Sequence, residues 1–280
     1  MKEILILGVN YHSDHETINF IESVLSLVEI NLINLIIIDI GERNSDDWFS
    51  KKTAEYPSLV TVINCKDNLG YFGAADYGLK EYLKTNSLPQ WIIVSNVDIE
   101  IQSKDLIYIL RTYSTQKEIG VIAPTIISIS NQNNQNPFMK FRPSSVRMHF
   151  YKWIFKQRIV LNLYELLNFI FKKLIYLFKN VHSISIENDI SIYAPHGSFV
   201  IFSNTFFLKS KGLNIPLFLF GEEVFIAEIC KEIDLKIFYI SKIKILHKEH
   251  VSTGNLFKNK KIAKYLSKSV TYIADTFFKF

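Results

Sequence analysis

The stretch WIIVSNVDIEI, Trp91 to Ile101, decides the fold. Trp91 to Val94 reads as a buried strand, Ser95-Asn96-Val97-Asp98 interrupts it, and the chain then turns apolar again. A short apolar run without polar alternation belongs to a strand covered on both faces. Sheets built from such strands bind ligands beyond the strands' carboxyl ends. Asp98 stands at an end of that kind. A carboxylate on the turn after a buried strand is held rigidly, and its oxygens suit Mg2+ or Mn2+ carrying substrate phosphates. An ordinary Asn/Asp turn is the competing reading, since these side chains also bond their own backbone.

Outward from this strand the chain alternates. Glu3 to Val9 reads as a first core strand, and Asp14 to Val28 as a helix with Ile18, Ile21, Leu25 and Val28 on one face. Leu35 to Ile40 is a second strand carrying Asp39 near its end, and Leu59 to Asn64 is a third. Gly73 to Leu83 and Lys104 to Tyr113 read as helices, the latter with Ser103 as N-cap, and Gly120 to Ala123 as a strand. This order predicts an α/β fold with a mostly parallel central sheet flanked by helices. Further on, Ser198 to Ser203 reads as a strand, Glu223 to Ile233 as a helix and Lys236 to Ile240 as a strand. The tail from Asn255 is basic, then aromatic, and reads as a closing helix.

Two segments interrupt the pattern. SISNQNNQNP, Ser128 to Pro137, is a polar low-complexity loop. Phe150 to Asn180 is apolar and basic, with Val160, Leu163, Leu167, Ile170, Phe171, Leu174 and Leu177 at helical spacing. A cationic face lies opposite that stripe. The helix either packs on the core with a solvated back or lies on an anionic membrane surface. Phe150, Tyr151, Trp153 and Phe155 near its start favour the membrane version.

The bulk numbers exclude several classes. At 280 residues and 48% hydrophobic, the chain buries a sizeable core and is neither disordered nor collagen-like. A net charge of +5 without a dense Lys/Arg block argues against a nucleic-acid partner and suits anionic small molecules or lipid. Cys65 and Cys230 lack metal-ligand spacing and are expected to be free buried thiols in a reducing cytosol. The N-terminal apolar run is too short for a secretory signal, and no run reaches the roughly 18 to 20 residues of a membrane span.

Other polar groups accompany Asp98. Asp39 precedes the polar turn GERNSDD, where a carboxylate can accept hydrogen bonds from a base or ribose. DNLGYFGAADYG places Gly70, Gly73 and Gly78 around a helix start, where backbone can approach a ligand and negative charge is favoured. Glu222 and Glu223 open a helix after LFLFG, either as dipole partners or as site carboxylates. KIKILHKEHVSTG carries His247 and His250, each able to ligate a divalent metal when neutral.

In this order the pieces resemble the inverting family 2 glycosyltransferases of the GT-A fold, and among them the rhamnosyltransferase-like branch that builds bacterial surface polysaccharides. The resemblance runs from Ile4 to about Gly254, with a gap over Ser128 to Asn188. It is carried by ILILGVNYHSD with Asn10, by Asp39 with RNSDD, by Asn68, Gly70, Tyr71 and Gly73, and by Asn96-Val97-Asp98. Gly197 in HGSFVIFS, FLFGEEV, and His247 in LHKEHVSTG complete it. The resemblance implies a nucleoside diphosphate sugar donor contacted by Asn10, Asp39, Asn68, Gly70, Gly73, Asp76 and Asn96. It implies Mn2+ or Mg2+ on Asp98 and His247, and Glu223 or Glu222 as catalytic base. The acceptor it implies is a glycan, carried on undecaprenyl diphosphate at the cytoplasmic face of the membrane. The chain then divides into a nucleotide-sugar half (1–127), a loop and helical insert (128–190), an acceptor and catalytic half (191–254) and a helical tail (255–280). Two departures stand out: Asp76 where the family has Asn, and Glu223 where it has Asp. The second keeps a non-catalytic sugar-nucleotide-binding or scaffold subunit as an alternative. A nucleotide-dependent dehydrogenase would need Gly-x-Gly-x-x-Gly after the first strand, and GVNYHSD has one glycine. A nucleotidylyltransferase would need a Gly-rich basic loop there.

Overall fold

The computed structural model describes residues 2–42, 47–56, 58–156, 189–210, 212–213, 215–249 and 260–280. Strands β1 (Ile4–Asn10), β2 (Ile33–Ile40), β3 (Val60–Cys65) and β4 (Trp91–Asn96) form one parallel half, ordered β3-β2-β1-β4. The sheet continues through β8 (Phe199–Ser203), β6 (Ile119–Ser128) and β9 (Lys236–His247) to β5 (Ile99–Ile101). β8 runs antiparallel to both β4 and β6, and β6 pairs β9 in parallel. β5 and β7 (Ile190–Ile192) each pair β9 antiparallel.

The central strands β1, β2 and β4 are apolar because each of their faces is covered. Along β1, Leu5 and Leu7 join one core and Ile4 and Ile6 the other. α3 (Tyr71–Leu83) contributes Phe72, Ala74 and Leu79 to the first core. α1 (Asp14–Leu25) and α4 (Leu106–Arg111) contribute Phe20, Ile21, Leu106 and Leu110 to the second. α2 (Trp48–Thr53) lies between β2 and β3. α6 (Asn204–Ser210) follows β8, and α7 (Glu222–Glu232) precedes β9. A third, smaller core joins α5 (Ser145–Lys156), α7 and α8 (Lys260–Phe277) through Met148, Phe225, Ile273, Ala274 and Phe278.

The mostly parallel α/β sheet expected from the alternation is present, with several boundaries moved. β6 runs on to Ser128 and β9 to His247, well past the expected ends, because the two strands pair along most of their length across two register shifts. Ser103 does not cap α4, whose N-cap is Asp105 without a side-chain bond. The Ser103 hydroxyl instead accepts from the Lys244 amide (2.9 Å) and donates to the Lys242 carbonyl (3.1 Å), tying the helix approach to β9. α3 starts at Tyr71, two residues before the expected Gly73. β5, β7, α2 and α6 are short pieces that periodicity did not single out. Both cysteines are free and buried. Among the described residues no helix is long and apolar enough to cross a membrane. The turn residues Asn44, Ser45 and Asp46, the amphipathic stripe from Val160 to Leu177, and His250 lie outside the described residues.

Candidate active site

The carboxyl ends of β1 and β4, the start of α3, the turn before β8 and the start of α7 enclose a cavity of about 470 Å³. Its wall includes Asn68, Gly70, Asn96, Asp98, Glu222 and Glu223 among the residues singled out by sequence, with Gly197 beside them. These come from four separated stretches of the chain. Tyr11, Tyr71, His196, Ser198 and the Phe218–Phe220 run also line it.

Asp98 owes its position to two pairings. β4 places Asn96 at the cavity, its amide bonded to the Ser198 carbonyl at 2.9 Å. β5 then pairs Ile99 with His247, and the Lys248 amide donates to the Asp98 carbonyl at 2.9 Å. Residues 149 positions apart thus become neighbours, with His247 Nε2 lying 3.4 Å from Asp98 Oδ1. That contact does not meet hydrogen-bond geometry, and Asp98 Oδ1 is a buried oxygen with no hydrogen-bond partner.

Glu222 and Glu223 start α7 after Gly221, which takes a left-handed conformation (φ 83°). A Cβ at Gly197 would lie 3.1 Å from Glu223 Oε1, so glycine keeps β8's approach clear of the carboxylate. Burial raises the pKa of both glutamates, and for Glu223 the adjacent Glu222 charge adds to the rise. The backbone amides of Glu223 itself and Gly197 oppose it. Tyr71 registers the same convergence: burial first, then the charges of Glu222, Asp98 and Glu223, push its hydroxyl well above the usual tyrosine range. Gly70 has φ +74°, and a Cβ there would fall 2.1 Å from the Phe218 carbonyl oxygen. Only glycine lets the loop before α3 meet the aromatic run before α7 this closely.

Five predicted residues do not line the cavity wall; one of them, His247, stands behind it against the lining residue Asp98. Asn10 and Asp39 face each other in register at the ends of β1 and β2, next to the lining residues Val9, Tyr11 and Ile40. Asn10 Nδ2 donates to Asp39 (2.8 Å) and Asp14 (3.1 Å), while its carbonyl accepts from the Ser13 amide. Gly73 lies in the first turn of α3. Asp76, on the same helix, accepts from the Leu213 amide (3.3 Å) and pairs with Lys80 (2.5 Å).

His196 is the main residue the sequence reading passed over, although it directly precedes Gly197. It packs edge-on against His247, with ring centres 5.8 Å apart. Its Nδ1 accepts from the Ser198 amide (3.3 Å), and burial, then proximity to His247, lowers its pKa to about 4. It is therefore neutral at physiological pH. Glu249 is the other: the hydroxyls of Ser128 and Ser130 hold its carboxyl below the usual range.

Among the described residues no three His, Cys, Asp or Glu side chains gather into a complete cation site. Asp98 and His247 offer an anionic oxygen without a partner and an imidazole nitrogen facing it. Two protein ligands with open positions fit a divalent ion that is otherwise bound by substrate phosphates and water.

No protein-family model and no curated protein matches the chain. Solved structures do. GalNAc-T7, crystallised with UDP, GalNAc and Mn2+, superposes with a TM-score of 0.61 at 12% identity, over 89% of this chain and 44% of that one. S. aureus TarS superposes with a TM-score of 0.54 at 9% identity, over 89% and 37%. This chain thus spans less than half the length of either. At such identities the likeness is one of fold. The chain has the GT-A glycosyltransferase fold.

Proposed function

We propose that the chain is an inverting glycosyltransferase that moves a sugar from a nucleoside diphosphate sugar to an acceptor hydroxyl. The observation that carries this reading is the one cavity that holds Asp98, paired with His247, together with Glu222 and Glu223. The diphosphate of the donor lies at the Asp98 side, and the acceptor hydroxyl at the Glu223 side. A bound Mn2+ or Mg2+ would be held by Asp98 and His247 and would neutralise charge on the departing diphosphate. Glu223 takes the proton from the acceptor hydroxyl as its oxygen attacks the anomeric carbon. The bond from that carbon to the phosphate oxygen breaks on the opposite face, and nucleoside diphosphate leaves. Tyr71, next to both carboxylates and Asp98, keeps its proton and serves as a neutral donor. The pair Asn10 and Asp39 braces the nucleoside end of the cavity, with Asn68, Gly70 and Asn96 on its wall. Gly73 and Asp76 act on the donor through the α3 backbone they belong to.

Replacing Glu223 by Gln should lower transfer by roughly 10² to 10⁴, the usual worth of a general base, while donor binding persists. Asp98→Ala should instead weaken Mn2+-dependent nucleotide binding in titration calorimetry. Transfer at the parental rate by E223Q would refute the base assignment. Release of nucleoside diphosphate from donor alone separates an enzyme from a binding or scaffold subunit, which would release none.

The acceptor we propose is a glycan on an undecaprenyl diphosphate carrier, met at the inner face of a bacterial membrane during surface-polysaccharide assembly. Supporting this part are the exposed side chains of Phe141, Val146, Phe150 and Trp153, on and just before α5, with Lys140 beside Phe141.

A further inference from the structure

His247 carries a hydrogen-bond chain whose direction can be read atom by atom. Glu249 accepts on Oε2 from the hydroxyls of Ser128 (2.6 Å) and Ser130, and on Oε1 from Gln135 Nε2 (2.6 Å). An ionised carboxylate only accepts, so the amide nitrogen of Gln135 must face it. Gln135 Oε1 is thereby turned to His247 Nδ1, at 2.7 Å. A carbonyl oxygen also only accepts, so Nδ1 carries a proton, and in the neutral imidazole the Nε2 lone pair then faces Asp98 Oδ1 at 3.4 Å.

The loop holding Gln135 is clamped on both sides. Asn134 Oδ1 accepts from the Ile126 and Asn136 amides, both at 3.1 Å, and its Nδ2 donates to the Tyr239 hydroxyl at 3.0 Å. Asn136 donates to the Pro124 carbonyl (2.8 Å) and accepts from the His196 amide (2.7 Å). Gln135 therefore has little freedom to reverse its amide.

We infer that Gln135 and Glu249 are positioning residues: through the chain Glu249–Gln135–His247 they fix the His247 tautomer and aim its Nε2 lone pair at Asp98, presetting the pair for a divalent cation. This rests on the proposed reading of Asp98 and His247 as cation ligands. Ligating histidines commonly have their other nitrogen bonded to such a partner, and losing that partner typically costs 10- to 100-fold in metal affinity.

The test uses the metal-free full chain, labelled with ¹⁵N-histidine, with the His247 signals assigned through His247→Asn. Wild type should show the Nδ1–H tautomer at His247. Gln135→Met, similar in length but without polar atoms, should shift His247 toward the Nε2–H tautomer. It should also raise the Kd for Mn2+, read by paramagnetic resonance of the free ion, by 10- to 100-fold. Glu249→Gln, which keeps the volume, should give a smaller change in the same sense and serves if Gln135→Met does not fold. An Nε2–H tautomer in the wild type overturns the inference. So does a Gln135→Met or Glu249→Gln chain with unchanged tautomer and Mn2+ affinity, and then the cation role of Asp98 and His247 still stands. A wild-type chain that binds no Mn2+ removes the cation role itself.

Discussion

Glu223 shows how position changes the chemistry of one side chain. At the start of an exposed helix it would be an ordinary dipole partner. Here burial and the neighbouring Glu222 make ionisation costly, so the folded chain holds its protons more tightly than the unfolded one. A carboxyl whose folded pKa is raised stabilises fully below its ordinary value, 4.5, and that stability is lost as pH rises through the folded pKa. The metal-free, donor-free chain should therefore lose melting temperature as pH climbs from 5 to 8. E223Q should match wild type near pH 5 and melt higher at pH 8, by roughly 2 to 4 °C for each kcal/mol of charge burial removed. Differential scanning calorimetry across that range checks it, and parallel pH curves for the two chains would contradict it. With Glu223 in the proposed role of base, transfer should rise over the same interval as it ionises.

At the scale of elements, the polar stretch Ser128 to Pro137 is the clearest case of a segment whose role its composition conceals. It reads as a loop, and it is one, but Gln135 and Asn136 reach His247 and the backbone of His196 respectively. A second device docks the helical end of the molecule. Arg142 makes a two-pronged bond to Glu228 (2.8 and 2.9 Å), bonds the Phe277 carbonyl and lies over the Phe278 ring. Tyr193 donates to the same carboxylate at 2.6 Å. Glu228 is only 3% exposed. Arg142→Leu strands that charge inside α7 and frees the end of α8. It should destabilise by about 3 kcal/mol, the usual scale for removing one partner of a buried pair. Glu228→Gln in the same background should recover part of the loss. Urea denaturation of the two variants measures both, and an Arg142→Leu chain as stable as wild type would show that the docking rests on the apolar contacts of α5 and α8 alone.

For the whole molecule, the distribution of apolar surface separates the sheet from the helical end. Both faces of the central strands β1, β2 and β4 are covered, whereas Phe141, Val146, Phe150 and Trp153 are all more than half exposed, and Phe150 stacks on Trp153. Such a group next to a cationic amphipathic sequence suits an anionic bilayer surface. Phe150→Ser with Trp153→Ser should lower partitioning onto vesicles containing anionic lipid by roughly tenfold or more, given the 1.5 to 3 kcal/mol of burying one large apolar side chain. Flotation should show this with the melting temperature unchanged, because neither side chain is buried in the fold. Unchanged flotation would point away from α5 as the contacting face.

The strand-helix order, the two-faced burial of β1 and β4, and the placing of Asp98 at a strand end were legible in the residues alone, because periodicity and apolar runs are local properties. Gly70 at the start of α3 and the acidic residues at the start of α7 were legible for the same reason. No local pattern brought Asp98 to His247: the resemblance put both on one cation, and the structure makes them neighbours by turning β5 back to pair with the far end of β9. Tertiary structure alone decided that Asn10 and Asp39 brace each other at the strand ends and that His196 enters the cavity wall. A side chain's spacing shows which element carries it. Its partners are set by strand pairing across separations of 29 residues for Asn10 and Asp39 and more than a hundred for Asp98 and His247, which no local pattern encodes.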